Sequence, residues 1–553
     1  MAKFLPVGIA LLITGYAAYL SAAEYYLADV PANGNGTFSS PFNNFSAAMN
    51  AAQPGDVVLV LPGVYEDQIT SQRNGSAAQP ITVKAYDPAN RPLVTSAGQV
   101  LYLNHAYHII DGFIIDGQFG NADVVRIRSG GDNAMVRNCE IKNGVKDGID
   151  LSMADDVLIE NCEIHHFLAG SISNQMDAHG IVAAGENNLT IRGCNIYYVS
   201  GDCFQTDPDR GYPLWDNVLI ENCKLWTGPL PANAAGWNAG EIPGENGVDT
   251  KINEEAVGTA YRARITIRNV ESYGFVPGYI NNRAAFNIKE KVECQLIAVK
   301  VYDNEIAFRL RGPGSRGGAY VTIMNSIAFN NDKTFRNEDG VEILHVYNST
   351  FDKGGSGEYF SNVSGGYNSA GFDLRNCLFM GTKPGDASHP SNLSANASFF
   401  MNAGAFNYHL DANSPAINAG EDIPEVTHDY DGYPRFAGAY DVGAFEYESS
   451  TPVAPQPGNE IREFYLHPNY PNPFNPSTAI VFDASRPGAV RLEIFDILGN
   501  RIRALVEEYL PAGQHRVEWD GRDAAGKTAA SGIYFYRLEI GDFTQTRKMH
   551  LLR

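Results

Sequence analysis

The sequence predicts an all-β chain in which a long solenoid of β-strands precedes a small β-sandwich, and three observations predict it. Charged residues are only 19% of the 553, while Gly numbers 55, Tyr 29 and Phe 28, a balance that favours strands and turns over surface helices. A short motif recurs along the middle of the chain at the spacing of one solenoid coil. Beyond residue 460 the pattern changes to short alternating segments separated by polar turns, as in a sandwich. A chain of this length exceeds one ordinary core, so more than one domain is expected.

The first residues have the three parts of a secretory leader: a basic start at Lys3, an apolar run from Phe4 to Leu20, and the small residues Ser21-Ala22-Ala23. Residues 1–23 are therefore expected to be a signal peptide, with the mature chain starting at Glu24. A membrane anchor is the alternative, against which the run is short and broken by Pro6, Gly8 and Gly15. The formal charge of −22 argues against nucleic acid as a partner, because phosphate binding needs a basic surface. A polyanionic ligand would need a local basic patch.

Seven cysteines in an exported chain ordinarily suggest disulfides. Here Cys139, Cys162, Cys194, Cys223 and Cys377 occupy one recurring slot, which Val270, Val299, Ser326 and Ser349 share, so they read as small buried stacking residues. The marks fall 23 to 32 residues apart, except for a gap of 47 between Cys223 and Val270. Apolar residues three before and two after the mark, as in Ile159, Cys162 and Ile164, follow strand alternation with a bend and no helical period. The residue before the mark is Asn138, Asn161, Asn222, Asn269, Asn325, Asn348 or Asn376, with Gly193 and Ala298 as exceptions. Stacked coils would put these amides in one column, each bonding the next.

Such an internal asparagine ladder at a tight turn resembles the pectate-lyase-like right-handed parallel β-helix superfamily, over residues 24–448. The opening, with Tyr25-Tyr26, Gly34-Asn35-Gly36-Thr37 and Pro54-Gly55-Asp56, and the close, with Ser414-Pro415-Ala416-Ile417 and Asp441-Val442-Gly443, are similar to the caps of exported β-helix proteins. They are expected to shield open strand edges. Residues 449–460 read as an extended Ser, Pro, Thr and Gly linker. Residues 461–553, with Asn469-Tyr-Pro-Asn-Pro-Phe-Asn-Pro-Ser-Thr478 and Leu492-Glu-Ile-Phe-Asp-Ile-Leu-Gly499, resemble the C-terminal sorting domain of the type IX secretion pathway. That resemblance implies an outer-membrane secretion machinery as partner, with release or surface attachment; a carbohydrate-binding sandwich is the alternative.

Upstream of each asparagine lies a second strand whose alternation points Ile149, Ile181, Phe204, Val248, Phe286 and Phe308 inward. Two outward columns follow: Asp150, Val182, Gln205, Asp249, Asn287 and Arg309 in one, Ser152, Ala184, Asp207, Lys251, Lys289 and Arg311 in the other. Coils stack about 4.8 Å apart, so members of a column touch. A basic patch of Lys251, Lys289, Arg309 and Arg311 thus forms beside Asp207 and Asp249 on an otherwise acidic chain. It suits β-elimination of a uronic-acid polymer, where a neutralised carboxylate makes the C5 proton removable by a nearby base.

The resemblance implies, residue by residue, Lys251 as base with a lowered pKa and Lys289 as second choice, and Arg309 and Arg311 with Asn287 as binders of the polysaccharide. It also implies Ca²⁺ as a cofactor, for which Asp202, Asp207, Asp209 and Asp249 are the candidate ligands; a solvated acidic turn is the other reading of those aspartates. Gly201-Asp202-Cys203 and His179-Gly180 are similar to the inverting hydrolases of this fold, without their paired aspartate. The long coil after Cys223 carries Trp226 and Trp237, which either stack on sugars or close the loop's own core. A secreted monomeric polysaccharide lyase is the leading expectation, with a glycoside hydrolase or a noncatalytic glycan-binding surface protein as alternatives.

Overall fold

The computed structural model describes residues 22–207, 212–252, 256, 258–314, 317–436 and 438–447, and, further on, 465–466, 469, 474, 477–484, 486–497, 499–510, 513–524, 526–541 and 543–551. The leader up to Ser21, the linker 449–460 and Asp209 lie outside the described residues. The chain divides into two compact units, Met1–Tyr447 and Glu448–Arg553.

The first unit is a parallel β-helix. Three long sheets of thirteen, eleven and thirteen strands run its length, and each complete coil gives one strand to each. In the eleven-stranded sheet the order runs without interruption from Ile69–Thr70 to Glu358–Val363. Its register aligns Asp150 with Val182, Val182 with Gln205, Gln205 with Asp249, Asp249 with Asn287 and Asn287 with Arg309. The outward column expected from alternation is therefore present rung for rung.

Burial follows from the same alternation. Ile149, Ile181, Phe204, Val248, Phe286 and Phe308 have no exposed surface. Phe286, Phe308, Phe335 and Phe360 stack in sequence at centroid separations of 6.0, 5.4 and 4.8 Å. The recurring cysteines point into the core; all seven are free and buried.

The asparagine column carries the expected amide bonds in part, Asn269 Nδ2 donating to Asn222 Oδ1 at 2.6 Å and Asn376 Nδ2 to Asn348 Oδ1 at 3.3 Å, and it has a backbone basis as well. Asn138, Asn161, Asn222, Asn269, Asn325, Asn348 and Asn376 all have φ between 45 and 56°, as do the substitutes Ala298 at 53° and, slightly beyond, Gly193 at 64°. Each turn needs a left-handed residue, which asparagine tolerates better than most. The column is internal only toward its end: Asn138, Asn161, Asn222 and Asn269 are exposed, whereas Asn325, Asn348 and Asn376 are buried. A second buried amide pair lies at another turn, where Asn304 donates to Asn331 at 2.9 Å and both amides satisfy backbone carbonyls.

The helix Phe45–Ala51 closes the first coil with Phe45, Ala48 and Met49 buried, and the side chain of Asn44 caps it by accepting from Ala47 N at 2.7 Å. No described helix is long and apolar enough to cross a membrane. In the second unit, antiparallel sheets of three and four strands enclose Trp519, Tyr536, Leu492 and Leu538.

Candidate functional site

The site lies on the outer face of the eleven-stranded sheet, where Asn246–Asp249, Ala284–Ile288 and Ile306–Arg311 are adjacent. The second residue of each strand is small, Gly247, Ala285 and Ala307, and the coils approach closely there; a Cβ on Gly247 would sit 2.5 Å from the Ala285 carbonyl oxygen. Threonines at the strand ends then fix the lysines. Thr206 Oγ1 accepts from Lys251 N at 2.7 Å and donates to Lys251 O at 2.8 Å, and Thr250 Oγ1 does the same for Lys289 at 2.9 and 3.1 Å. The indole of Trp215 also donates to Lys251 O.

A cleft of about 190 Å³ opens over these strands, lined by Glu245, Asp249, Lys251, Asn287, Lys289 and Arg309, with residues 280–283 along one side. Asp249 is its electrostatic centre: one oxygen lies 3.0 Å from Lys289 Nζ and accepts from Asn287 Nδ2 at 2.9 Å, and the other lies 3.6 Å from Lys251 Nζ. The buried Asn287 Oδ1 has no partner among the described residues, an acceptor left over at the cleft floor. Arg309 pairs with Glu338, which also holds Arg336 and Arg311, the last shared with Asp339, so three guanidinium groups meet two carboxylates and leave positive charge over.

Burial pulls the Lys251 ammonium down, but the surrounding Asp249, Asp202, Asp177 and Glu245 outweigh it, and its pKa lies above the ordinary lysine value. The lowered pKa expected of Lys251 as a base is thus reversed. Glu245 is the group tuned to neutral pH: burial, then the charges of Asp202 and Asp177, push its carboxyl up to about 8.

Behind the cleft, the residues two before the inward Ile149, Ile181, Phe204 and Val248 form a polar row of Asp147, His179, Asp202 and Asn246, the last three buried. His179 Nδ1 lies 2.9 Å from Asp147 Oδ1, its Nε2 is 3.6 Å from Asp202 Oδ2, and Asn246 Nδ2 donates to Asp202 Oδ1 at 2.8 Å. Burial disfavours the His179 cation, yet the hydrogen bond to Asp147 and the charge of Asp202 hold its pKa at about 9. Asp202 is raised to about 6 by burial and by Asp249. Neither Glu245 nor this row stood out in the sequence as a whole. The visible signal was a polar residue before the small one in Asp147-Gly148, His179-Gly180, Asp202-Cys203 and Asn246-Gly247.

Lys251, Lys289, Asn287, Arg309 and Asp249 thus come together, with Asp202 behind them. Arg311 does not line the cleft, since it turns to Glu338 and Asp339 at 3.5 and 3.2 Å. Trp237 is withdrawn from any sugar: it is 1% exposed, packs with Leu168 and Leu230, and donates to Ala169 O at 3.2 Å. Trp226 has both faces covered by Tyr197 and Tyr273. The donor set suits calcium poorly. Asp249 gives its oxygens to two ammonium groups and an amide, Asp202 faces His179 and Asn246, and half-buried Asp207 lies at its strand's end. Among the described residues no group of three or more His, Cys, Asp or Glu is arranged to hold a metal.

The family model described as Pel9A-like, right-handed β-helix region, matches residues 25–353. The chain belongs to this family. The Pel9A-like match ends before the last coils, and an FlgD Ig-like domain model matches residues 475–540. No curated protein matches. Among solved structures, the Pel9A-like helix is similar to pectate lyase Pel9A, at 18% identity over 77% of this chain and 97% of that one, TM-score 0.48. It is also similar to a rhamnogalacturonan lyase, at 16% over 68% and 90%, TM-score 0.46. An alginate lyase from Paenibacillus sp. str. FPU-7 follows at 15% over 58% and 96%, TM-score 0.37.

Proposed function

We propose that the chain is an exported lyase that cleaves a uronic-acid-containing polysaccharide by β-elimination. The observation that carries this reading is the cleft itself, in which Lys251, Lys289 and Arg309 share the lining with a carboxyl, Glu245, held near 8. Lys289 and Arg309 are placed to take a uronate carboxylate, which lowers the barrier to losing the C5 proton. Glu245, a stronger base than an ordinary carboxylate once ionised, accepts that proton. The C5–H electron pair becomes the new C4–C5 double bond as the C4–O4 bond breaks. Lys251, kept protonated by the carboxylates around it, donates a proton to the departing O4.

The reading is tested by the ultraviolet absorbance of unsaturated uronides with pectate, alginate and glycosaminoglycans, each with Ca²⁺ and with a chelator. Glu245→Gln is expected to lower kcat on the cleaved polymer by about a hundredfold or more. A second reading, glycoside hydrolysis, is favoured by one feature: the cleft holds two carboxyl groups, Glu245 raised to about 8 and Asp249, and a raised carboxyl can serve such a reaction as its acid. New reducing ends without absorbance would select hydrolysis, and neither product would overturn both. Export through the type IX pathway is proposed from the leader-like start and the sequence of residues 461–553; it predicts that deleting 461–553 retains the chain inside the cell.

A further inference from the structure

The thirteen-stranded sheet that contains Glu140–Gly144, Glu163–Phe167 and Asn195–Val199 is a different sheet from the one beneath the cleft. Its strands break alternation at one point. Between Ile164 and Phe167, which point inward and have no exposed surface, stand two residues, His165 and His166, where alternation allows one. The extra residue is accommodated by a left-handed φ of 61° at His166, as it is at Asn143 and Tyr198 in the coils on either side. Two successive side chains therefore leave the same face of the sheet, and in this coil both are imidazoles.

The two rings turn their Nδ1 atoms toward each other, 2.5 Å apart. His165 is the fixed member. It stacks at 4.9 Å on Tyr197, which stacks in turn at 4.6 Å on Trp226, and its Nε2 lies 3.6 Å from Glu140 Oε1. A carboxylate on that side places the ring N–H on Nε2 and leaves the Nδ1 lone pair facing His166, the arrangement in which histidine serves as a metal ligand. Lys142, the ammonium beside the pair, is itself held by Glu140 at 2.5 Å. Burial lowers the pKa of both rings, that of His166 to about 4, so both offer neutral nitrogen. The separation also selects the ion. A square-planar cation with bonds of about 2.0 Å holds cis nitrogens about 2.8 Å apart, whereas a tetrahedral one spreads them to about 3.3 Å.

We propose that His165 Nδ1 and His166 Nδ1 form a binding site for a divalent transition-metal ion of square-planar preference, Cu²⁺, with water in the remaining positions. The ion takes the place of the proton between the rings, which moves to His166 Nε2. The site stands apart from the reaction at the cleft and does not depend on it. The full chain is titrated with Cu²⁺ supplied as its glycine complex and followed by electron paramagnetic resonance and by tryptophan fluorescence, since Trp226 lies two rings along the stack from the ion. Saturation at one equivalent, with hyperfine splitting from imidazole nitrogen and quenched fluorescence, is expected. His166→Asn installs the residue that the preceding coil carries at this place, and His165→Phe keeps the stack; each should weaken binding by about a hundredfold. Glu140→Gln, which alters only the group behind His165, should weaken it by about tenfold. Melting curves recorded without metal separate a lost ligand from a lost fold, and either histidine variant that melts with the unaltered chain suffices for the comparison. Uptake that does not saturate at one equivalent, or that a folded histidine variant leaves unchanged, is an adventitious ion only and overturns the site.

Discussion

At the scale of single residues, Asp249 is the member of the site whose loss should be felt most broadly. It neutralises Lys251 and Lys289 and accepts from Asn287, with only 6% of its side chain exposed. Asp249→Ala would remove the carboxylate with which two largely covered ammonium groups pair, and a loss of about 3 kcal/mol in denaturant unfolding is expected. Glu245 makes a different prediction. Because its carboxyl ionises near 8, a base role requires activity to rise with pH through about 8, and Glu245→Gln should flatten that limb of the profile. A rate that falls over the same range would assign Glu245 the acid's role instead. Residue by residue, the sequence was legible where a side chain belonged to a strand. Asp249, Asn287, Lys289 and Arg309 were placed by alternation alone. Glu245 escaped because it precedes its strand, and the raised Lys251 pKa escaped because it depends on carboxylates from other coils.

At the scale of the coil, two recurring features have separable physical tests. The left-handed turn residue sets a backbone demand, so Asn161→Gly should be tolerated, whereas Asn161→Ala should cost about 1 kcal/mol, read from thermal or denaturant unfolding. The buried cysteines set a packing demand. All seven should resist a thiol reagent in the native chain and react together in denaturant; rapid reaction of any in the folded state would contradict their burial. The repeat spacing announced the coils because inward positions recur in each one. The fate of Trp237 was not legible for the converse reason: the small cluster of Leu168, Leu230 and Trp237 joins residues from two coils through a loop with no period. The turn asparagines were found, but the sequence alone did not separate a requirement on φ from a requirement for stacked amides.

At the scale of the whole helix, the titrating groups act in one direction above mildly acidic pH. Burial raises the carboxyls of Glu186 and Glu245 to about 8, and those of Asp429 and Glu446 to about 7. Groups raised on folding bind protons more tightly in the folded chain, so their contribution is lost as pH rises through those values. His179, held at about 9 despite its burial, has the same sign, its contribution being complete below its unfolded value and lost through about 9. Glu140, Glu221, Glu271 and Glu338 are buried in part yet lowered by their cationic partners, so their contribution is lost only in stronger acid. The melting temperature should therefore be higher at about pH 5 than at about pH 9, measured by calorimetry. A flat or opposite trend would show that these groups do not differ between the folded and unfolded chain.

The eleven-stranded sheet keeps its register across its whole length while the segments between its strands vary widely in size. That combination separates inheritance from invention. A connecting segment is free to lengthen, shorten or change its chemistry without disturbing the stacked interior. Adding an entire coil would move the cationic floor along the axis and leave it intact, whereas inserting one residue within a strand would turn it inside out. Diversification among proteins built this way is accordingly expected to be written in the connections, and their common ancestry in the rungs.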